Sequence, residues 1–346
     1  MFLHLLAHRR MRAVAAVVAA AALAACSANA TTERKPAVTT SVARPRATTA
    51  PQLRSPFTGL PVNQLAPAIA MKIDNAAPAR PQAGVDKADV VYQELVEGGI
   101  TRLLAIFSSQ QPRLAGPVRS VRENDLDLLR EYGRVLFAYA GGNRRVYDMA
   151  RAAPLVDGSY DAATPAYHLL AGRHRPYSTF VSVPKLVATK PGAAEARDIG
   201  LRFGPLPAAL AASPRVSAAT FAFSPYARTS FTWSPTAKAW VIGLDRARTS
   251  TIDGRPLAFS NVVVQYVRIR PSRFSDVLGN MSPFSVTTGK GRAVIFRDGR
   301  KIEAYWSRAG VTSGTHFTDA QKHDIALAPG PTWVLLAPLG RPLSLG

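Results

Sequence analysis

The sequence predicts a layered α/β domain, a mixed sheet with helices, over residues 55–190, followed by a smaller β-rich α+β domain over residues 221–340. Three observations predict this. Apolar strand-like runs alternate with helix-like segments in the first half, the pattern of a layered α/β fold. Short β-prone runs separated by turn signals fill the second half. Residues 191–220, rich in Ala, Pro and Gly, stand between them as a connector.

The chain begins with Arg9, Arg10 and Arg12 and no acidic residue, and from Ala13 to Ala25 every residue is Ala, Val or Leu. A basic start, a short apolar run and small residues at its end make a secretory signal over residues 1–25. The run is too short for a permanent membrane-spanning helix, which takes about 20 apolar residues. It closes on Leu23-Ala24-Ala25-Cys26, which resembles the lipobox of bacterial lipoproteins, where the cysteine thiol is acylated and becomes the new N-terminus. Cys26 is the only cysteine of the chain, so it has no intramolecular disulfide partner and lipidation is its expected role. Residues 26–54, rich in Ala, Thr, Pro, Arg and Ser and without apolar periodicity, read as a disordered tether.

Order is expected from Ser55-Pro56-Phe57. Residues 69–73 and 90–92 read as strands, and Thr101–Phe107 as a strand buried on both faces because it is almost continuously apolar. Gly116-Pro117 breaks the chain. Ser120 followed by Glu123 has capping-box spacing and predicts a helix from about Val121 to Tyr132, ended by Gly133. A strand at 135–139 stops at Gly141-Gly142, and Asn143 caps a second helix that ends before Pro154. Beyond residue 221 the runs 230–233, 239–242, 262–267, 293–296 and 333–336 read as strands. Asp253-Gly254 and Asp298-Gly299 read as turns, the second joining a hairpin.

The formal charge is +21, and +18 once Arg9, Arg10 and Arg12 are removed. Such an excess suits an anionic partner, or reflects a composition inflated in Arg and Ala. Export argues against nucleic acid. The expected partners are the cell membrane, through the lipid on Cys26, and an anionic cell-wall glycopolymer, a lipid-linked precursor or a wall-synthesis enzyme.

Arg102, Arg119 and Arg122 are the candidate anion-binding residues. Each guanidinium offers a rigid fork of donors for phosphate or carboxylate, and Arg119 and Arg122 flank the expected helix N-terminus at Ser120. The same arginines could instead pair with Glu94, Glu97 and Asp125 to fix a core. Asp74, Asn75, Glu94, Glu97 and Asp125 form the candidate polar network. They lack the spacing of a known cation-binding loop, so structural roles are expected. His168, His174, His316 and His323 have no zinc-site spacing. No metal and no cofactor is expected.

Several blocks are specific: Met71-Lys72-Ile73-Asp74-Asn75, Arg80-Pro81-Gln82-Ala83-Gly84, Ala88 to Glu94, Glu97 to Arg102, and Gly116 to Arg122. Together with Asn261 to Tyr266 and Gly330 to Val334, they resemble the YerB-like lipoprotein family over nearly all of residues 55–338. The resemblance implies an envelope lipoprotein with an N-terminal domain and a smaller C-terminal one, and no particular reaction. A fainter similarity, through Arg102, Arg119, Arg122 and Tyr139-Ala140-Gly141-Gly142, is to the LytR–CpsA–Psr enzymes, which move glycopolymers from polyprenyl pyrophosphate carriers. The acid that follows the first arginine in those enzymes is here Leu103. The expectation is therefore a non-enzymatic envelope binding or scaffolding protein. The alternative is a phosphotransferase or hydrolase acting on polyprenyl-pyrophosphate-linked glycans.

Overall fold

A computed structural model describes residues 52–276 and 279–346. The expected signal, Cys26 and all but the last residues of the tether lie outside the described residues. The strand Ile69–Asp74 is the first of the main sheet, and its six residues are all buried. It pairs antiparallel with Thr101–Phe107, in register from Ile69 opposite Phe107 to Asp74 opposite Arg102. That second strand is wholly buried, as its apolar run predicts. On its far side it pairs antiparallel with Val90–Leu95. Leu136–Ala138 and then Val156–Asp157 extend the sheet in parallel beyond Ile69–Asp74.

The second half of the chain continues the same sheet. Thr332–Pro338 lies parallel to Val90–Leu95 on one side and parallel to Asn261–Ser275 on the other. Gly289–Arg297, Arg300–Arg308 and His316–Thr318 follow in antiparallel order, and Met281–Val286 pairs with the outer part of Asn261–Ser275. The result is a mixed sheet of 11 strands drawn from both halves. Residues 191–217 run along this body rather than away from it, with Ala194 and Ala196 bonded to the backbone of Ala68 and Ala66.

Period-2 alternation divides the strands between two cores. Met71, Val91, Leu103, Ala105, Val262, Val264, Phe296 and Leu335 face one core. A second sheet of six strands covers this face, built around Ala218–Ser224, Ala227–Ser234 and Ala239–Leu244. Phe231, Trp240 and Phe296 join the two sheets, with ring centroids 4.7–5.8 Å apart at steep angles. Trp240 and Trp333 are core residues, completely buried.

Ala70, Tyr92, Leu104, Ile106, Phe137, Val263 and Ile295 face the other core. Helix α1 (Glu123–Leu129) contributes Leu126, Leu128 and Leu129 to it, and helix α2 (Arg144–Ala152) contributes Val146 and Ala150. A third helix, α3 (Val183–Thr189), lies beside a small sheet of three short strands. The expected mixed sheet forms, but helices are few and short, and strands cover one of its faces where helices were expected. Among the described residues no α-helix follows Thr189, so the C-terminal half is β-rich without the expected α component.

Local signals explain most element ends. Asn143 caps α2 through Oδ1, which accepts from the Arg145 amide at 3.0 Å. The hairpin at Asp298-Gly299 forms with Arg297 opposite Arg300, and both turn residues take positive φ, 52° and 68°, the geometry of a tight hairpin turn. The expected cap of the first helix is a correction. Arg122, not Ser120, is the N-cap, and Asp125 supplies the reciprocal contact by accepting from the Arg122 amide at 2.7 Å. Helix formation starts two residues late because 119–121 are held extended: the Arg119 amide donates to Lys72, and the Val121 amide to Gly141.

Candidate functional site: a cleft beside Arg102

Three neighbouring strands bring Lys72, Asp74, Glu94 and Arg102 onto one face of the main sheet. Arg102 stands opposite Asp74 on one side and opposite Glu94 on the other. Lys72 follows the same face two residues before Asp74. Helix α1 then lays Asp125 over them. Lys72 Nζ donates to Asp125 Oδ1 at 2.7 Å and also contacts Glu94, and all three side chains are completely buried. Asn124 donates to the other Glu94 oxygen.

Arg119 and Arg122 arrive on the segment after Gly116-Pro117. Arg119 Nε lies 2.6 Å from Asp74 Oδ2. Arg122 grips Glu97 with both prongs of its fork, Nε to Oε1 and Nη2 to Oε2, each at 2.7 Å. Ser282, from the second half of the chain, donates to Glu97 as well. Burial pushes the Glu97 carboxyl up, but the Arg122 hydrogen bonds and charge outweigh it and hold it below its ordinary range. Glu123 behaves likewise: burial raises it, while Ser272 and Arg273 bind it and bring it down.

Arg102 differs from its neighbours. It is 5% exposed, and its buried Nε and Nη1 have no hydrogen-bond partner. Asp74 and Glu97, the carboxylates whose charge it feels, are taken by Arg119 and Arg122. Desolvation first, then repulsion from Arg122 and Arg119, pushes its pKa down to about 10. Desolvation likewise lowers Lys72 to about 8, against the pull of Asp125. The chain thus holds a buried cation whose donors are unused, a costly arrangement in a protein interior.

Arg102, Arg119 and Arg122 all line one cleft of about 510 Å³. Its other walls include the apolar Val121, Val146 and Phe274, the neutral Ser120, Asn143 and Ser272, and three acids, Glu97, Glu123 and Asp276. The three arginines thus share one surface, and of the pairings with Glu94, Glu97 and Asp125 only Arg122 with Glu97 forms, while Arg119 pairs with Asp74 instead. Glu94 and Asp125 serve Lys72 beneath the cleft and do not line it. Asn75 does not join the group. One residue beyond Asp74, it bonds Thr101 Oγ1 at 2.8 Å and accepts from Gln82 at 3.0 Å. Thr101 also links to Gln93, which accepts from Thr229 and Trp333 under the six-stranded sheet. The free helix N-terminus expected as an anion site is filled by the chain's own Asp125.

Sequence reasoning missed Lys72, Asn124, Ser272, Arg273 and Ser282. A signal for Lys72 existed: one lysine inside the apolar run 69–73 must be buried, and must then find acids. No local pattern links Ser282 to Glu97, which is 185 residues away.

The N-terminal domain model of the protein family of unknown function DUF3048 matches residues 57–197, and its C-terminal domain model matches residues 219–334. A curated relative, "Putative lipoprotein YerB" of Bacillus subtilis, is 50% identical over 78 residues, which span 22% of this chain and only 24% of the relative. The crystal structure of YerB from Bacillus subtilis superposes with a TM-score of 0.70, covering 85% of this chain and 100% of that one at 22% identity. That likeness establishes the shared fold. Both family models match in the expected order and together take in most of the chain, so the protein belongs to the DUF3048 family, which includes the YerB-like lipoproteins.

Proposed function

We propose that this protein is exported, carries a lipid on Cys26 at the outer face of the cell membrane, and uses the Arg102 cleft to bind an anionic envelope ligand without transforming it. The ligand would be a cell-wall polymer or a lipid-linked precursor, and the same surface could hold the protein against a wall-synthesis enzyme. One observation carries the binding part: Arg102, a buried guanidinium with unused donors beside a cleft. A desolvated cation without a partner costs stability, and such a cost persists in a fold where the group serves binding. The basic N-terminus, the short apolar run and the lone cysteine support the anchor.

The alternative, a phosphotransferase or hydrolase acting on polyprenyl-pyrophosphate-linked substrates, calls for a surplus of positive charge at the cleft. At the cleft Arg102, Arg119 and Arg122 stand against Glu97, Glu123 and Asp276, and beneath it Lys72 stands against Asp74, Glu94 and Asp125, so there is no such surplus. This favours the binding reading.

Two experiments test it. Growth with a labelled fatty acid should mark the protein, and Cys26→Ala should abolish the label; a label that persists rules out this anchor. Ligand-observed NMR with dimethyl phosphate and the full chain in detergent should detect binding that disappears in Arg102→Met. Equal binding by the variant would remove Arg102 from the site.

A further inference from the structure

A second cavity, of about 290 Å³, adjoins the first at Arg119, the residue that lines both. The boundary between them is made of two paired segments. The Ala140 amide donates to the Arg119 carbonyl at 2.9 Å, and the Val121 amide donates to the Gly141 carbonyl at 3.1 Å. Gly141 faces the second cavity and Gly142 the first. Both glycines have positive φ, 79° and 156°. A side-chain carbon on Gly141 would meet nothing nearer than Ser120 Oγ at 3.5 Å, so the space above it is open. On Gly142 such a carbon would meet Val121 Cγ1 at 2.9 Å, so the divide is bare backbone at Gly141, beside Arg119. Beyond it the second cavity offers the ring of Tyr160 together with Asp161 and Arg175.

The charge balance of the first cavity narrows the ligand. The unused donors of Arg102 attract an anion, but no surplus of positive charge waits to neutralise a second one. A singly charged group suits the site better than a pyrophosphate or a phosphate monoester. In the second cavity, an aromatic ring beside an acid and an arginine suits a sugar ring, whose apolar face packs on the tyrosine while its hydroxyls bond the charged groups.

From these features we infer that the two cavities form one bipartite groove for a linear anionic glycan. One singly charged unit, a phosphodiester or a uronate, sits at Arg102, and the chain passes over Gly141 to set a sugar on Tyr160. This rests on the binding reading above and deepens it.

The test compares short and long probes on the full chain in detergent by ligand-observed NMR. The short probes are dimethyl phosphate and galacturonate. The long ones are a hexagalacturonate and a six-unit glycerol phosphodiester oligomer, and neutral maltohexaose is the control. The hexagalacturonate should bind at least about tenfold tighter than galacturonate, a gain of ~1.4 kcal/mol. Tyr160→Ala and Arg175→Ala should each reduce that gain while leaving binding of the short probes unchanged. If the glycerol phosphodiester oligomer gains equally and ignores Tyr160→Ala, no sugar sits on the ring and the inference fails. It fails as well if neither long probe outperforms its short counterpart, or if maltohexaose binds as tightly as hexagalacturonate. The outcome that instead overturns the underlying reading is distinct: short probes that do not bind, or whose binding survives Arg102→Met.

Discussion

Arg102 and Lys72 are buried on the same sheet face, and their surroundings treat them differently. Lys72 has two acids in contact and Arg102 has no hydrogen-bond partner. Lys72→Met would leave Glu94 and Asp125 buried without a counter-charge and should cost about 3–5 kcal/mol of unfolding free energy. Arg102→Met removes a desolvated cation that bonds nothing, and should leave stability unchanged or raise it by about 1–2 kcal/mol. Urea denaturation of the two variants decides this: an Arg102→Met loss as large as that of Lys72→Met would make Arg102 a structural residue.

Asp89 gives a pH prediction at the same scale. Burial raises its pKa from 3.8 to about 6, although it accepts from the Ser108 and Ser109 amides and the Ser109 hydroxyl. The folded form therefore holds more protons than the unfolded form between these values, so this group's contribution to stability falls as pH rises through that window. The change should be about 2 kcal/mol between pH 4 and 7. Asp89→Asn should remove that slope, because the amide carbonyl still accepts from both N–H groups and nothing titrates. Denaturant midpoints recorded across the window would expose a slope that survives the substitution.

At the scale of elements, the Asp298-Gly299 hairpin and the cap of α2 follow their local signals, whereas the start of α1 does not. Gly299 takes a φ of 68°, and a side-chain carbon there would approach Trp233 Nε1 to 2.9 Å. Gly299→Val should lower stability by about 1–3 kcal/mol from backbone strain alone, read as a drop in the thermal midpoint; an unchanged midpoint would mean that the turn relaxes freely. Strands were legible where their pattern is strong. Thr101–Phe107 matched its run to the residue because burial on both faces selects apolar side chains at nearly every position, Leu103 to Phe107 without a break. Ser120 misled because the capping-box spacing is local, while the extended course of 119–121 is imposed by Lys72 and Gly141 from distant parts of the chain. Of the site, the three arginines were legible as a group, whereas the acid that each one meets was not.

For the whole molecule, the decisive element is Thr332–Pro338. It enters the sheet between Val90–Leu95 and Asn261–Ser275, and six of its seven residues are buried. Without it, Val90–Leu95 would present an unpaired, apolar edge. Residues 52–217 expressed alone should therefore fail to give a cooperative unfolding transition, and co-expression with residues 218–346 should restore one. A folded, soluble N-terminal fragment by circular dichroism and NMR would show that the halves are independent.

The sequence by itself determined the strongly patterned strands, such as Thr101–Phe107, where the tight hairpin turns, and that Arg102, Arg119 and Arg122 form one group. These follow from local chemistry: periodicity, turn conformations and short motifs. Only the tertiary structure decided that both halves share a single sheet, that strands rather than helices cover one of its faces, and that Arg102 alone among the three arginines has no carboxylate partner. Those outcomes depend on which distant segments meet. A strand's apolar face must be covered, but its pattern does not say by what. A guanidinium's partner is likewise set by whichever carboxylates the fold has already committed elsewhere.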